Sequence, residues 1–371
     1  MGNKRTATIT WLKYYNFGTF LQAYALQQSI INLGYENHIL DDASIPKPKQ
    51  SVVNTIKGLI LKMLPWDPRS SYRALAAASK KSDDLYKLFL QNNLIVDTAS
   101  AGNQTSADTY YDQYVCGSDQ IWCPILEERL NKYYYAGFTK KKRIAYAASF
   151  GVKEYPEQYI EEFKELVSDF SAISCREKIG CQFIKQILKR ESTYVVDPTL
   201  LLTGDDWRKI ASPRTVKEKY ILCYFLTSNS WYLEFARSYA EKFGLKLVTF
   251  FLRPSSPQEA DVALSAGPSE FISLIDNAEL LLTDSFHGSI FATHLSTPFI
   301  GFRRFTGSKE GQNNRLTDLY SLMGISERFI LDGDDCKRIP SLKEQDFSQM
   351  VESLQPLVET SINFLKQSLA E

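Results

Sequence analysis

The chain has 371 residues, 44% of them hydrophobic and 23% charged, a composition typical of a globular protein with two ordinary domains. Its 43 basic residues are balanced by 43 acidic ones, so the formal net charge is zero. A neutral chain is not built mainly to coat nucleic acid, and any anionic ligand must be held by a local cluster of cations.

Cysteine and histidine usage gives no sign of a metal site. The six cysteines are scattered, none forms a CxxC pair, and none lies near one of the three histidines at the spacing of zinc ligands. The N-terminal residues lack the apolar core of a signal peptide, and no apolar run is long enough to span a membrane. We therefore expect a cytoplasmic protein that needs neither metal nor cofactor.

The first half of the chain alternates between predicted strands and helices. Residues 6–11 predict a strand, residues 19–33 a helix, and residues 37–40 the next strand, which together form a βαβ unit. This order is typical of a doubly wound parallel sheet. Further strands are predicted at 111–115, 143–149, 172–175 and 193–196, with helices at 156–170 and 180–188.

Segment 51–81 is less regular, and it combines apolar residues with several lysines and arginines. One interpretation is a basic amphipathic helix that touches a membrane surface. The other is a helix that faces the core and keeps its lysines in solvent.

A second alternation follows the charged stretch around Pro213, which predicts domains at 1–205 and 206–371. We expect two Rossmann-like α/β domains facing a cleft, with the site between them. The last helix, 347–369, is long and is expected to pack back on the first domain. The second domain has predicted strands at 220–225, 246–251, 280–283 and 298–302 and helices at 231–243 and 270–277.

The stretch 280–302 is the most informative part of the chain. A buried strand ends in a polar turn that contains Ser285, His287 and Gly288, and a helix begins there. The carboxyl end of a strand facing a helix N-terminus is where open α/β sheets bind ligands, so His287 is placed for proton transfer beside an anion site. The alternative is a histidine that only caps the helix or satisfies a core carbonyl. His294, two helical turns later, is expected to pack.

Two further strand ends carry polar residues. Asn16 and Gly18, with Lys13 just upstream, form a turn whose backbone N–H groups could hold an anionic or hydroxyl-rich ligand, or Asn16 could simply cap the helix. Ser118 and Asp119 could bind sugar hydroxyls, although for Asp119 we favour hydrogen bonds that fix its own loop.

Cations supply the other half of an anion site. Arg176 directly follows a strand and could grip a carboxylate or phosphate, or pair with Glu177 or another acid. A basic loop follows the strand at 298–302, and it is either a site for an acidic substrate or an ordinary solvated loop. Its cations are Arg303, Arg304, Lys309 and Arg315.

Several of these motifs, in this order, resemble the polysaccharide pyruvyl transferase family, and they extend from about residue 10 to residue 325. The matching pieces are YNFGTFLQAYALQQSIINLGY, YVCGSDQIW, RIAYAASFG, SCREKIG, VVDPTLLL, LLTDSFHGSIFATHLSTPFIGF and NNRLTDLYSLMGI.

The resemblance implies a glycosyltransferase B-like fold and transfer of the enolpyruvyl unit of phosphoenolpyruvate onto two sugar hydroxyls, with release of phosphate. It implies that His287 is the general acid and that Arg176 and the basic loop hold the donor's two anionic groups. The implied acceptor is a sugar or a lipid-linked oligosaccharide, as part of a surface-polysaccharide precursor. A nucleotide-sugar glycosyltransferase and a non-catalytic binding subunit on the same fold remain the alternatives.

Overall fold

The computed structural model describes residues 4–12, 14–42, 69–100, 104–125, 130–227, 230–250, 260–304, 313–331 and 345–370. Lys13, Lys309 and most of the 51–81 segment lie outside these residues.

The first domain is built on a parallel sheet of seven strands in the order β3-β2-β1-β4-β5-β6-β7. The order reverses between β1 and β4, which is the topological switch point of a doubly wound sheet. The strands are β1 (Arg5–Ile9), β2 (Glu36–Leu40), β3 (Val96–Asp97), β4 (Gln113–Cys116), β5 (Lys142–Ala148), β6 (Ala172–Cys175) and β7 (Thr193–Tyr194). The helices are α1 (Phe17–Asn32), α2 (Arg69–Asn93), α3 (Gln104–Tyr110), α4 (Ile160–Val167) and α5 (Lys178–Leu188).

The second sheet repeats this arrangement with six parallel strands in the order β10-β9-β8-β11-β12-β13. Its switch point lies between β8 and β11. The strands are β8 (Tyr220–Tyr224), β9 (Lys246–Phe250), β10 (Val262–Leu264), β11 (Leu280–Thr283), β12 (Phe299–Phe302) and β13 (Phe329–Ile330). The helices are α6 (Gly204–Lys209), α7 (Ser230–Phe243), α8 (Pro268–Asp276), α9 (Phe286–Leu295), α10 (Asn314–Leu322) and α11 (Phe347–Ala370).

These two sheets confirm the predicted fold, two Rossmann-like doubly wound domains in a glycosyltransferase B-like arrangement. The predicted core strands agree with the observed ones to within about two residues, as expected for buried apolar runs. The edge strands β3, β10 and β13 were not predicted, because two or three residues carry no periodic pattern.

The two domains share a continuous apolar core, and Phe17 at the start of α1 lies in it. Its ring stacks on Phe271 with centroids 4.5 Å apart and also contacts Phe250 and Tyr224 of the second domain. Tyr86 of α2 packs on the other side of Phe17. The amino end of α1 is thereby held against the carboxyl ends of β8 and β9, which brings the candidate residues of both domains together.

Two helices connect the domains. In α11, Ser361 accepts a hydrogen bond from the Val196 amide (2.9 Å), and the Leu369 carbonyl accepts one from Gln113 (3.4 Å), so this last helix lies against the first domain. In α2, Ser82 accepts a hydrogen bond from the Ala266 amide of the second domain (3.3 Å).

The described end of segment 51–81 has the features of a helix facing the core. Ala78 is buried, and its carbonyl accepts a hydrogen bond from Ser265 of the second domain (3.0 Å). Lys80 and Lys81 are exposed. Among the helices that the structure describes, none combines the length and apolar character needed to cross a bilayer.

Candidate active site

The turn before α9 is shaped by its own polar residues. The Ser285 hydroxyl caps the helix by accepting a hydrogen bond from the Gly288 amide (3.2 Å). A side chain at Gly288 would meet the Thr283 hydroxyl at 2.6 Å, so glycine allows the helix to start directly on the strand end. Ser285 and Gly288 therefore act on the site by fixing the position of His287.

Asp284 closes the switch point of the second sheet. Its buried carboxylate accepts hydrogen bonds from the amides of Leu226 (2.6 Å) and Thr227 (3.0 Å), which follow β8. Burial raises the pKa of Asp284, and these hydrogen bonds only partly oppose the rise. Asp284 therefore has a structural role, because it ties the turn before α9 to the end of β8.

His287 belongs to the second domain, but its side chain lies against the first domain. Its side chain is 14% exposed, and Nε2 is 3.5 Å from Oδ2 of Asp197, which follows β7. Nε2 is buried and has no hydrogen-bond partner among the described residues. A methyl group on Gly18 would lie 2.1 Å from Nδ1, so the imidazole rests directly on the backbone of α1.

Arg176 and His287 both contact Asp197, which lies between them. Nη1 donates a 2.6 Å hydrogen bond to Asp197 Oδ2, the same oxygen that faces His287. Two further carboxylates, of Asp119 and Glu177, lie 3.7 and 3.6 Å from Nη2 and Nε. Arg176 therefore forms ion pairs with Glu177 and other acids, as one of the two interpretations of the sequence predicts. However, Nε and Nη2 make no hydrogen bond within the part of the chain that the structure describes, although both are buried.

These charges set the protonation of the cluster. Burial alone would lower the pKa of Arg176, but the three carboxylates around it raise it above its ordinary value. Burial alone would raise the pKa of Asp197, but His287 and Arg176 lower it below its ordinary range. Arg176 is therefore a cation and Asp197 an anion at any physiological pH.

Arg315, at the start of α10, brings a second guanidinium to this place. A pocket between the domains is lined by the guanidinium groups of Arg176 and Arg315, together with the Phe286 ring and several leucines. Three carboxylates also line it, those of Glu177, Asp197 and Asp318. The pKa of Arg315 is lowered by burial and then by the charge of Arg176, and Arg304 acts in the same direction. The pocket as a whole has no excess of positive charge, so an anion that binds here must be held by direct contact with the two guanidinium groups.

The other basic residues of the predicted loop are less well placed. The Arg304 amide donates to Asn313 (3.1 Å), and its charge acts on Arg315 and on Asp284. Arg303 is half-buried at the end of β12, where its carbonyl accepts a hydrogen bond from Tyr232. Lys309 is outside the described residues, as is Lys13.

Asn16 and Asp119, which follow strands of the first domain, make hydrogen bonds that stabilise the local backbone. Asn16 caps α1 by accepting from the amides of Gly18 (2.9 Å) and Thr19 (3.4 Å), which is the capping alternative. Asp119 bonds its own loop through Gln120 (2.9 Å) and α1 through Thr19 (2.8 Å).

Ser118 lies inside the core of the first domain. It is fully buried, with its hydroxyl donating to the Ala147 carbonyl (3.0 Å) and its amide to Gln22 (3.1 Å). Because both groups are satisfied inside the core, we leave Ser118 out of the proposed site.

Residues 16–304 match the family model described as polysaccharide pyruvyl transferase. The chain belongs to this family. The suspected resemblance is therefore confirmed, and the matched range includes Gly18, Arg176, Asp197 and His287. A search of curated proteins gave no significant match.

The chain is also similar to solved structures, at low identity. A UDP-GlcNAc 2-epimerase from Methanocaldococcus jannaschii is 14% identical, with a TM-score of 0.47 and coverage of 95% of this chain and 92% of that one. The glycosyltransferase SnogD from Streptomyces nogalater is 11% identical, with a TM-score of 0.42 and coverage of 100% and 98%. Similarity at this level says nothing about the substrate of this member of the pyruvyl transferase family.

Sequence reasoning did not assign Asp197 to the site, although it places a strand at 193–196, directly before this residue. The available signal was an aspartate that directly follows a predicted strand and precedes proline, in the same position relative to its strand as Arg176. No sequence pattern paired it with His287. Among the described residues, no group of three histidine, cysteine or acidic side chains could hold a metal ion.

Proposed function

We propose that this protein transfers the enolpyruvyl unit of phosphoenolpyruvate to two hydroxyls of a sugar, forming a cyclic pyruvate ketal and releasing phosphate. The supporting observation is the pair of buried Arg176 donors, Nε and Nη2, that lack hydrogen bonds beside Arg315. An unsatisfied buried donor costs about 1–3 kcal/mol, and an anionic ligand would remove that cost. Phosphoenolpyruvate carries two anionic groups, a carboxylate and a phosphate, that suit two guanidinium groups.

The chemistry then needs one acid. His287 gives a proton to the methylene carbon, which becomes the methyl group and leaves C2 electrophilic. The first sugar hydroxyl attacks C2 and loses its proton. The second hydroxyl then displaces phosphate from the same carbon, and its proton leaves with the phosphate as hydrogen phosphate. The charge of the departing phosphate is stabilised by Arg176 and Arg315.

Mass spectrometry of candidate sugars incubated with phosphoenolpyruvate tests the reaction. We expect a mass gain of one pyruvic acid minus one water, together with phosphate release that requires the sugar. A gain of a hexose from nucleotide sugars, with no reaction of phosphoenolpyruvate, would replace this proposal by a glycosyltransferase.

His287→Ala tests the assigned acid. We expect turnover to fall by about 10²–10⁴, the usual contribution of general acid catalysis, while phosphoenolpyruvate still protects the protein against thermal unfolding. Normal turnover in this variant would remove His287 from the mechanism.

We further propose that the acceptor belongs to a surface-polysaccharide precursor made in the cytoplasm, and that a lipid-linked acceptor would bring the protein to the membrane face. Co-sedimentation with anionic liposomes, with and without residues 51–68, examines the second point. Equal binding of both forms would exclude a role for that segment.

A further inference from the structure

Asp197 touches both residues to which the proposed function gives a chemical role. Its Oδ2 accepts the 2.6 Å hydrogen bond from Arg176 and lies 3.5 Å from His287 Nε2. Its other oxygen, Oδ1, accepts from the amide (3.0 Å) and hydroxyl (2.7 Å) of Thr199. The side chain is completely buried, so these contacts alone determine its orientation.

The orientation of the imidazole follows from its second contact. A carbon built on Gly18 would lie 2.1 Å from Nδ1 and 2.5 and 2.6 Å from the two ring carbons bonded to Nδ1. Such similar distances place Gly18 beneath the face of the ring and not at its edge. The in-plane direction of Nδ1 is therefore not blocked by Gly18, whereas Nε2 lies 3.5 Å from Oδ2 of Asp197, longer than a normal hydrogen bond.

We propose that Asp197 is a positioning residue whose carboxylate draws the Nε2–H of His287 from the present 3.5 Å contact into a hydrogen bond, so that Nδ1 is the nitrogen that gives its proton to the substrate. This inference rests on the proposed function for its chemical consequence but not for its geometry. A carboxylate that accepts from one ring nitrogen fixes the tautomer and presents the other nitrogen to the reaction.

The proton balance is simple. Protonated His287 loses its Nδ1 proton to the methylene carbon and becomes a neutral ring that keeps its Nε2 proton toward Asp197. The proton released by the first sugar hydroxyl restores the cation. Because the same carboxylate oxygen also binds Arg176, the acid of one domain and the anion-binding arginine of the other are held in a single arrangement.

Asp197→Asn is the main test, because the amide keeps the size of the side chain. It can still accept from Thr199, but an NH₂ group facing Arg176 and His287 offers donors to donors. We expect kcat to fall by about 10²–10⁴, as when a buried carboxylate partner of a catalytic histidine is lost.

Histidine NMR reads the tautomer without any substrate. The chain has three histidines, so a histidine-labelled sample gives three sets of ring signals, and His287→Gln identifies the relevant one. We expect neutral His287 to carry its proton on Nε2 in the natural protein and to lose this preference in Asp197→Asn. A proton on Nδ1 in the natural protein, or an unchanged tautomer in Asp197→Asn, overturns the proposal.

A control variant disturbs the same turn without touching the Asp197 carboxylate. His294→Gln removes the ring nitrogen that lies 2.9 Å from the Thr199 carbonyl. We expect it to keep the His287 tautomer and a kcat within about threefold of the natural value. If it reproduces the loss seen in Asp197→Asn, the effect comes from the turn and the positioning role is rejected.

The two proposals fail separately. If the natural protein forms no ketal but the tautomer depends on Asp197, the positioning holds and the proposed function fails. If ketal is formed and the tautomer is indifferent to Asp197, the positioning fails and the function stands.

Discussion

Gly18→Ala gives the sharpest test of how the site is assembled. The added methyl group would lie 2.1 Å from His287 Nδ1, so the ring must retreat by about 1.3 Å to reach the 3.4 Å of an ordinary contact. A displacement of about 1 Å at a catalytic group can cost about 100-fold in rate. We therefore expect kcat for ketal formation to fall by about two orders of magnitude.

The same change should have little effect on stability. Gly18 lies in the first turn of α1 without a left-handed backbone, where alanine is favoured over glycine by about 1 kcal/mol. The crowding of His287 costs about 1–3 kcal/mol in the other direction. Urea unfolding should thus show a net loss of no more than about 2 kcal/mol, which separates a misplaced acid from a damaged fold.

A double-mutant cycle with His287→Ala isolates the contact. Once the imidazole is gone, the methyl group at Gly18 has nothing to displace, so Gly18→Ala should add no further loss of activity. If Gly18→Ala alone keeps the natural kcat, the contact between Gly18 and His287 does not position the acid. The same conclusion holds if the double variant is far less active than His287→Ala.

Three more outcomes follow from the contacts. Arg176→Lys should raise the KM for phosphoenolpyruvate at least about tenfold, because one ammonium cannot pair with Asp197 and also replace the Nε and Nη2 donors; an unchanged KM in a phosphate-release assay would contradict this. Lowering the pH from 7 to 5 should reduce the free energy of unfolding less in His294→Gln than in the natural protein. Burial lowers the pKa of His294 from 6.5 to about 4, so the unfolded chain takes up a proton that the folded one refuses, and equal pH dependence in urea titrations would exclude this cause. Asn16→Ala should cost about 1 kcal/mol by leaving the amides of Gly18 and Thr19 without their acceptor, which an unchanged urea midpoint would disprove.

Part of the site could be predicted because strand ends meet in space. Arg176 follows β6 and His287 follows β11, and the carboxyl ends of parallel strands gather at one edge of each sheet. Polar residues at those positions were therefore sound candidates. The same rule also selected Ser118, whose side chain is buried in the core, because a strand end does not say whether a side chain turns into the core or into the cleft.

The amino-acid sequence was enough to predict the two doubly wound sheets, the start of α9 and the family, since these depend on local apolar patterns and on motifs within single segments. The folded structure was needed to show that Asp197 lies between Arg176 and His287 and that Gly18 supports the imidazole. The contacts of His287 with Asp197 and Gly18 join residues that are far apart in the chain and belong to different domains. They exist because the aromatic core around Phe17 fixes the two sheets against each other, and that packing depends on three-dimensional shape, which no local pattern encodes.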